Sequence, residues 1–459
     1  MKPPLPERWA LRHNSPRTSL PSGGGAGRVD HLSKLRAYAQ CSGGGLVDQP
    51  QRASFRVLVT TPLFMGGSDP AQPELRAASV RGALRYWLRA AVGGVVAGDV
   101  PSVRAAEATV FGAAADTGAT GGQSHVSAVM IRLQVPRFSP TQLQRDRPVF
   151  TTRNGKRLIR PSGRDYLYWS MLRGGRDGNV RACIPPGTRF TMDVMLWPGF
   201  VRGRAEQADG SAARVLRSTV AALWLLSRLG GLGARSRRCA GNVAVEVEGG
   251  RWDELSFASS ARSADEAATE LASGLATVRK WMRDAWGREP FDPTATPEFD
   301  VLHPDHCRIW VLGLWSTWED AVKAIGSALC EFRSRSSPDR ERVLEWARGR
   351  PIPTVERAIF GLPLIFRYSG GLTVVVEGRG APPANAIKRR ASPLWLSVWK
   401  IDDQRYAGVA TLFKSCFLPV GERLYDNQRK RSVPAPSGFH LIEEFVAKKF
   451  AQAKEVRYG

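Results

Sequence analysis

Two units that each mix short strands with helices predict an α+β fold. Three observations carry that expectation. Short β-branched runs such as Phe55–Thr61 and Arg308–Gly313 are interleaved with longer stretches of helical period such as Val215–Leu229 and Ala264–Trp286. A proline-bearing stretch, Phe291–Asp300, separates two such sets. With 43% hydrophobic residues in 459, the chain can bury more than one core. The division read from this is a flexible basic N-terminal arm at 1–52, a first domain at 53–290 and a second at 301–459.

The arm has linker composition, with Ser-Gly-Gly-Gly at 22–25 and again at 42–45. Order is expected from Ser54, where the strand Phe55–Thr61 runs into Pro62 and a loop with paired glycines, Gly66 and Gly67. A helix over 77–91 follows, because Val80, Ala83, Leu84, Trp87, Leu88 and Ala91 share one face, with Ser79 as N-cap. Arg81, Arg85 and Arg89 fall at i, i+4 and i+8 on the other face. No acid lies between Ser79 and Val96, so these guanidinium groups repel one another unless an anion bridges them, and phosphate contact is expected. Asn154-Gly155 signals a hairpin over 149–159 carrying Arg153, Lys156, Arg157 and Arg160. Further strands are expected up to Leu133 and over 188–197. In the second unit, helices are expected at 319–332 and 441–454, and strands around 357–368, at 373–377 and after Lys388, Arg389 and Arg390.

The stretch Arg228–Gly241 holds four glycines and four arginines after the apolar helix. Glycine suits a left-handed cap, and a loop with little side-chain bulk lets its N–H groups approach an anion. Gly230, Gly231, Gly233, Arg235, Ser236, Arg237 and Arg238 are therefore read as a phosphate cradle, the alternative being a solvated helix cap with surface arginines. Lys388, Arg389 and Arg390 form a second basic cluster, and Phe64 and Tyr86 are either base-stacking or core residues.

Sixty-six Lys and Arg against 42 acids leave a formal charge of +24, which favours a polyanionic partner. No apolar run reaches the roughly 20 residues of a membrane span, and the N-terminus lacks a secretory apolar core, so a cytoplasmic protein is expected. His303, His306 and Cys307 cluster without a second ligand pair, and neither metal nor cofactor is expected.

Residues 60–70 and 74–89, TTPLFMGGSDP and ELRAASVRGALRYWLR, resemble the N-terminal signature of the RAMP proteins of CRISPR systems. Gly230–Arg238 resembles the RAMP glycine-rich loop. Ile359-Phe-Gly-Leu-Pro and Arg389-Arg-Ala-Ser-Pro-Leu resemble the C-terminal half of the subunit-one family of the type III-B (Cmr) effector complex. The resemblance implies two ferredoxin-like (RRM-like) RAMP domains with insertions. It also implies a non-catalytic, RNA-binding role in antiviral defence. The partners it implies are guide RNA near its 3′ end, target RNA and other RAMP subunits of the Cmr complex. Arg76 lies within its signature and joins the expected RNA contacts. Cys239 departs from the family pattern, where glycine often follows the two arginines. The rival reading is a metal-independent endoribonuclease using Asp69 and His125 as acid–base groups. A third is a basic RNA-binding or membrane-surface protein outside any complex.

Overall fold

Alternation decides the first strand. In β1 (Arg52–Val59), Ala53, Phe55, Val57 and Val59 are buried while Arg52 and Arg56 face solvent, the period of a sheet covered on one side. The computed structural model describes residues 52–69, 71–114, 125–153, 156–172, 181–197, 211–250, 252–287, 290–292, 295–335, 338–379, 389–426 and 431–459. The described residues lie within one compact unit, Gln49–Gly459.

After β1 come α1 (Ala77–Gly93), α2 (Val100–Phe111), β2 (Val129–Gln134) and the short β3 (Thr141–Gln142). The expected hairpin is present as β4 (Val149–Arg153) and β5 (Lys156–Arg160), paired from Val149↔Arg160 to Arg153↔Lys156, and its Asn154-Gly155 turn lies outside the described residues. Then follow α3 (Gly163–Leu172), β6 (Ala182–Cys183), β7 (Arg189–Leu196), α4 (Ser211–Leu229), β8 (Val243–Gly249) and α5 (Ala264–Trp286). Strands β2, β7, β1 and β8 form one antiparallel sheet in that order. Setting the insertions aside, the chain runs strand–helix–strand–strand–helix–strand. The third strand slots between the second and the first, and the fourth lies on the first's other side.

The same pattern returns. It is built from β9 (Cys307–Trp315), α6 (Trp318–Arg335), β12 (Leu394–Lys400), β13 (Tyr406–Phe413), α8 (His440–Lys449) and β16 (Lys454–Glu455). The sheet order β12-β13-β9-β16 is again second, third, first, fourth. Inserted within it are α7 (Asp339–Ala347) and a separate sheet of β10 (Leu364–Arg367), β11 (Thr373–Arg379), β14 (Arg423–Asp426) and β15 (Arg431–Pro434). An α+β architecture is thus observed.

The two sheets differ in burial. Alternate residues of β9 and β13, including Ile309, Val311, Val409 and Phe413, join the core of α1, α4 and the first sheet. Trp310, Leu312, Ala410 and Leu412 join a second core with α3, α6 and α8. With both faces covered, β12 and β13 are buried almost end to end and lose the alternation that marks β1. This explains why β13, with its Ala-Gly-Val-Ala-Thr run, was not expected from sequence. Neither β8 nor α2 was expected either. The N-cap of α1 is Arg76, with no side-chain cap, and Ser79 sits inside the first turn. The last helix stops at Lys449 because Lys454–Glu455 pairs with β9.

Helices α3 and α6 meet through glycine. A Cβ on Gly163 would fall on the Lys323 carbonyl oxygen, and one on Gly326 would fall on the Gly163 carbonyl, both inside van der Waals contact. Backbones this close leave no room for a methyl group. Gly326→Ala is expected to cost about 1–3 kcal/mol by overpacking, read as a lowered chemical-denaturation midpoint; an unchanged midpoint would show that these helices separate freely.

Candidate nucleic-acid interface

The glycine-rich loop is pinned at its base by Asn242, which is buried. Its Nδ2 donates to the Gly230 carbonyl at 2.6 Å, and its Oδ1 accepts from Val398 N on β12 at 3.0 Å. On one side the loop pairs with the stretch after β1: Gly241 N donates to Pro62 O at 2.9 Å and Ala234 N to Phe64 O at 2.8 Å. On the other it pairs with β12, Cys239 N donating to Leu396 O at 2.8 Å and Leu396 N to Arg237 O at 3.2 Å. Glycine is required where the backbone turns. Gly233 has φ +75° and its Cβ would meet Phe64 O at 2.5 Å, while Gly241 has φ +65° with Leu232 O directly in the way.

Cys239 also adopts the left-handed region, at φ +60°. Its sulfur is buried, and its carbonyl accepts from Tyr168 Oη at 2.7 Å. A Cβ is tolerated there, with the strain that left-handed backbone imposes on a non-glycine residue.

With these pairings made, the N–H groups of Gly231, Gly233 and Ser236 have no internal partner among the described residues. All three residues line a cleft of about 510 Å³. Gly66 and Gly67 line it from the loop after β1, Arg76 and Ser79 from the uncapped start of α1, and Arg181 from beside β6. Trp87, Tyr86 and Trp395 form its apolar wall. Among the described residues no carboxylate lines it. Free N–H groups, the positive end of a 17-residue helix and two guanidinium groups favour an anion. Arg76 is half exposed, donates to Gly66 O at 3.0 Å and has Glu74 4.0 Å away at the rim.

The cleft thus unites Arg76, Gly231, Gly233 and Ser236 from the expected set, with buried Gly230 beneath it. Most of the other arginines have internal partners that the sequence did not disclose. Arg85 and Arg89 share Glu107 of α2, at 3.3 and 3.0 Å, and Arg85 also donates to the carbonyls of Phe111 and Gly112. The anion that relieves their repulsion is therefore a carboxylate of this chain, on a helix not expected from sequence. Arg81 has a buried Nε with no partner among the described residues and does not line the cleft. Arg235, at φ +63°, donates from Nε to Ser170 Oγ at 2.9 Å. Arg237 lies 4.5 Å from the Trp395 ring centre, donates to Ser392 O at 2.6 Å and pairs with Asp300 at 3.5 Å. Arg238 donates to three carbonyls, those of Arg237, Leu394 and Phe360. Burial pushes its guanidinium down to about 10.

Phe64 is buried and Tyr86 half-buried, and both also line the cleft. Phe64 packs edge-on against Tyr168, and the Tyr86 hydroxyl donates to Asp300 at 2.7 Å under the Trp395 ring. Arg389 is exposed, Arg390 donates to Cys416 O at 2.8 Å, and Lys388 lies outside the described residues. Asp69 closes a local turn by accepting from Ala71 N at 2.8 Å, and exposed His125 pairs through its backbone with Ala113. Neither lines the cleft, and no hydrogen bond joins them. His303 and His306 stack with Phe291, and among the described residues no group of three or more His, Cys, Asp or Glu could hold a metal. Arg181 was missed: it precedes β6 with no local motif, and only folding brings it to the cleft.

Residues 56–244, which build the first sheet and its helices, match the RAMP superfamily model. The match runs from β1 through the glycine-rich loop into β8. The chain is similar over much of its length to a particular member: CRISPR system Cmr subunit Cmr1-1 of Pyrococcus furiosus is 26% identical over 349 residues, covering 76% of this chain and 82% of that one. Cmr subunit Cmr1-2 of the same organism is 28% identical over 196 residues, 42% of this chain and 95% of that one. The crystal structure of apo Cmr1 from Pyrococcus furiosus shares the fold, with TM-score 0.52 and 21% identity over 89% of this chain and 99% of that one.

Because Arg238 holds the loop against the second unit, its replacement acts on folding. Arg238→Ala is expected to cost about 1.5–3 kcal/mol, the range for hydrogen bonds to a charged group, seen as a lowered denaturation midpoint. Arg76→Ala should leave the midpoint within about 0.5 kcal/mol of wild type.

Proposed function

We propose that this chain is a non-catalytic RNA-binding subunit of a type III-B CRISPR effector complex. It binds guide RNA near its 3′ end and helps capture target RNA, in the cytoplasm, beside other RAMP subunits. Its two halves, 53–290 and 301–459, are ferredoxin-like domains. The repeated strand–helix–strand–strand–helix–strand order supports that reading of the fold. Similarity to the Cmr1 subunits supports the assignment to the complex.

One observation carries RNA binding: a cleft lined by Arg76, Arg181, Gly231, Gly233 and Ser236, where among the described residues the three loop N–H groups have no partner and no carboxylate lines the walls. These groups complement a sugar-phosphate backbone, and they bind without chemistry. Asp69 is engaged in its own turn, and neither it nor His125 reaches the cleft. No described helix is long and apolar enough to cross a membrane.

The test is anisotropy titration with a labelled RNA of about 12 nucleotides. Arg76→Ala/Arg181→Ala is expected to weaken binding at least tenfold. The slope of log K against log salt should become shallower by about 1.4, two phosphates at roughly 0.7 each for a single strand. Wild-type affinity and slope in this variant would remove the cleft from the reading. The RNA should stay intact throughout; cleavage by wild type that disappears in Asp69→Ala would replace the binder with the nuclease.

A further inference from the structure

A second cleft of about 180 Å³ adjoins the first, with Tyr86 lining both. Three arginines from three separate segments converge on it: Arg89 from α1, Arg237 from the glycine-rich loop and Arg390 from just before β12. Consecutive loop residues divide between the clefts, Ser236 lining the first and Arg237 the second.

The charges around it are unevenly matched. Arg390 has no carboxylate partner among the described residues, only the Cys416 carbonyl. Arg89 must share Glu107 with Arg85. Asp300, in the wall, is already occupied: it accepts from Tyr86 Oη and Ser415 Oγ, each at 2.7 Å, and pairs with Arg237. Among the described residues, four guanidinium groups, Arg85 included, therefore share three carboxylates, Glu107, Asp300 and exposed Glu298. The volume is below the roughly 300 Å³ at which small-molecule pockets begin, and suits a phosphate group.

We propose that this cleft is a second phosphate subsite for the RNA strand held in the first. One backbone then runs from the glycine-rich loop past Tyr86 and Arg237 to Arg390, so both halves of the chain grip a single strand. The inference rests on the RNA-binding reading above and adds the path and the residues at its far end. It makes Arg390 a length-dependent contact: an RNA that fills only the first cleft does not reach it.

The test titrates wild type and Arg390→Ala with the RNA of about 12 nucleotides and, by competition, with a dinucleotide. Arg390→Ala is expected to weaken the longer RNA about three- to tenfold, to lower its salt slope by about 0.7, and to leave the dinucleotide unchanged. Arg390→Gln, which keeps a donor for the Cys416 carbonyl, should reproduce this at an unaltered melting temperature, and Arg390→Lys should restore most of the affinity. Wild-type binding of the longer RNA by Arg390→Gln, or equal weakening of both RNAs, overturns the second subsite. Wild type binding neither RNA instead overturns the RNA-binding reading itself.

Discussion

The glycine-rich loop is hydrogen-bonded to both halves of the chain at once, and the cleft depends on that. Its backbone pairs with residues 62–64 on one side and with β12 on the other, and Asn242 ties its base to both. A buried amide with every polar atom engaged rigidifies its surroundings, because leaving any one unsatisfied costs more than the bond contributes. The loop is therefore a splint between two sheets. What it presents to the cleft is what the splinting leaves over: the N–H groups of Gly231, Gly233 and Ser236.

The same constraint sorts the arginines. A charge of +24 invites the view that each clustered arginine awaits a phosphate. Several instead hold the fold. Arg238 joins two carbonyls across the seam, those of Leu394 and Phe360, Arg228 lies buried 4.5 Å from the Trp399 ring centre, and Arg85 and Arg89 clamp α1 to α2 through Glu107. Arginine suits such seams because its weakly hydrated, planar guanidinium meets carbonyls and aromatic faces at several points. Among the described residues lining the two clefts, Arg76 and Arg181 at the first and Arg390 at the second are the arginines best placed for an anion.

The two halves share one topology yet differ in how their sheets are covered. The first sheet has an exposed face, so β1 carries a polar–apolar alternation that can be read directly. The second is enclosed by helices on both sides, so β12 and β13 are nearly uniformly apolar, and an apolar run of that kind does not distinguish strand from buried helix. Helix α2 was hidden for another reason: its apolar face is weak, and its start is set by an Asp99 side chain accepting from Ser102 N.

Local pattern was enough for what depends on neighbours in the chain. It determined the α+β class, the helix Ala264–Trp286 to the residue, the Asn-Gly hairpin, and the loop whose glycines the turn geometry requires. The RAMP resemblance was legible too, because its motifs are contiguous. Only tertiary structure decided which arginines are free. A guanidinium's partner is whatever group the fold brings within about 4 Å, however distant in sequence. Glu107 lies 18 residues from Arg89, Asp300 lies 63 from Arg237, and Arg181 lines the same cleft as the glycine-rich loop with no motif at all.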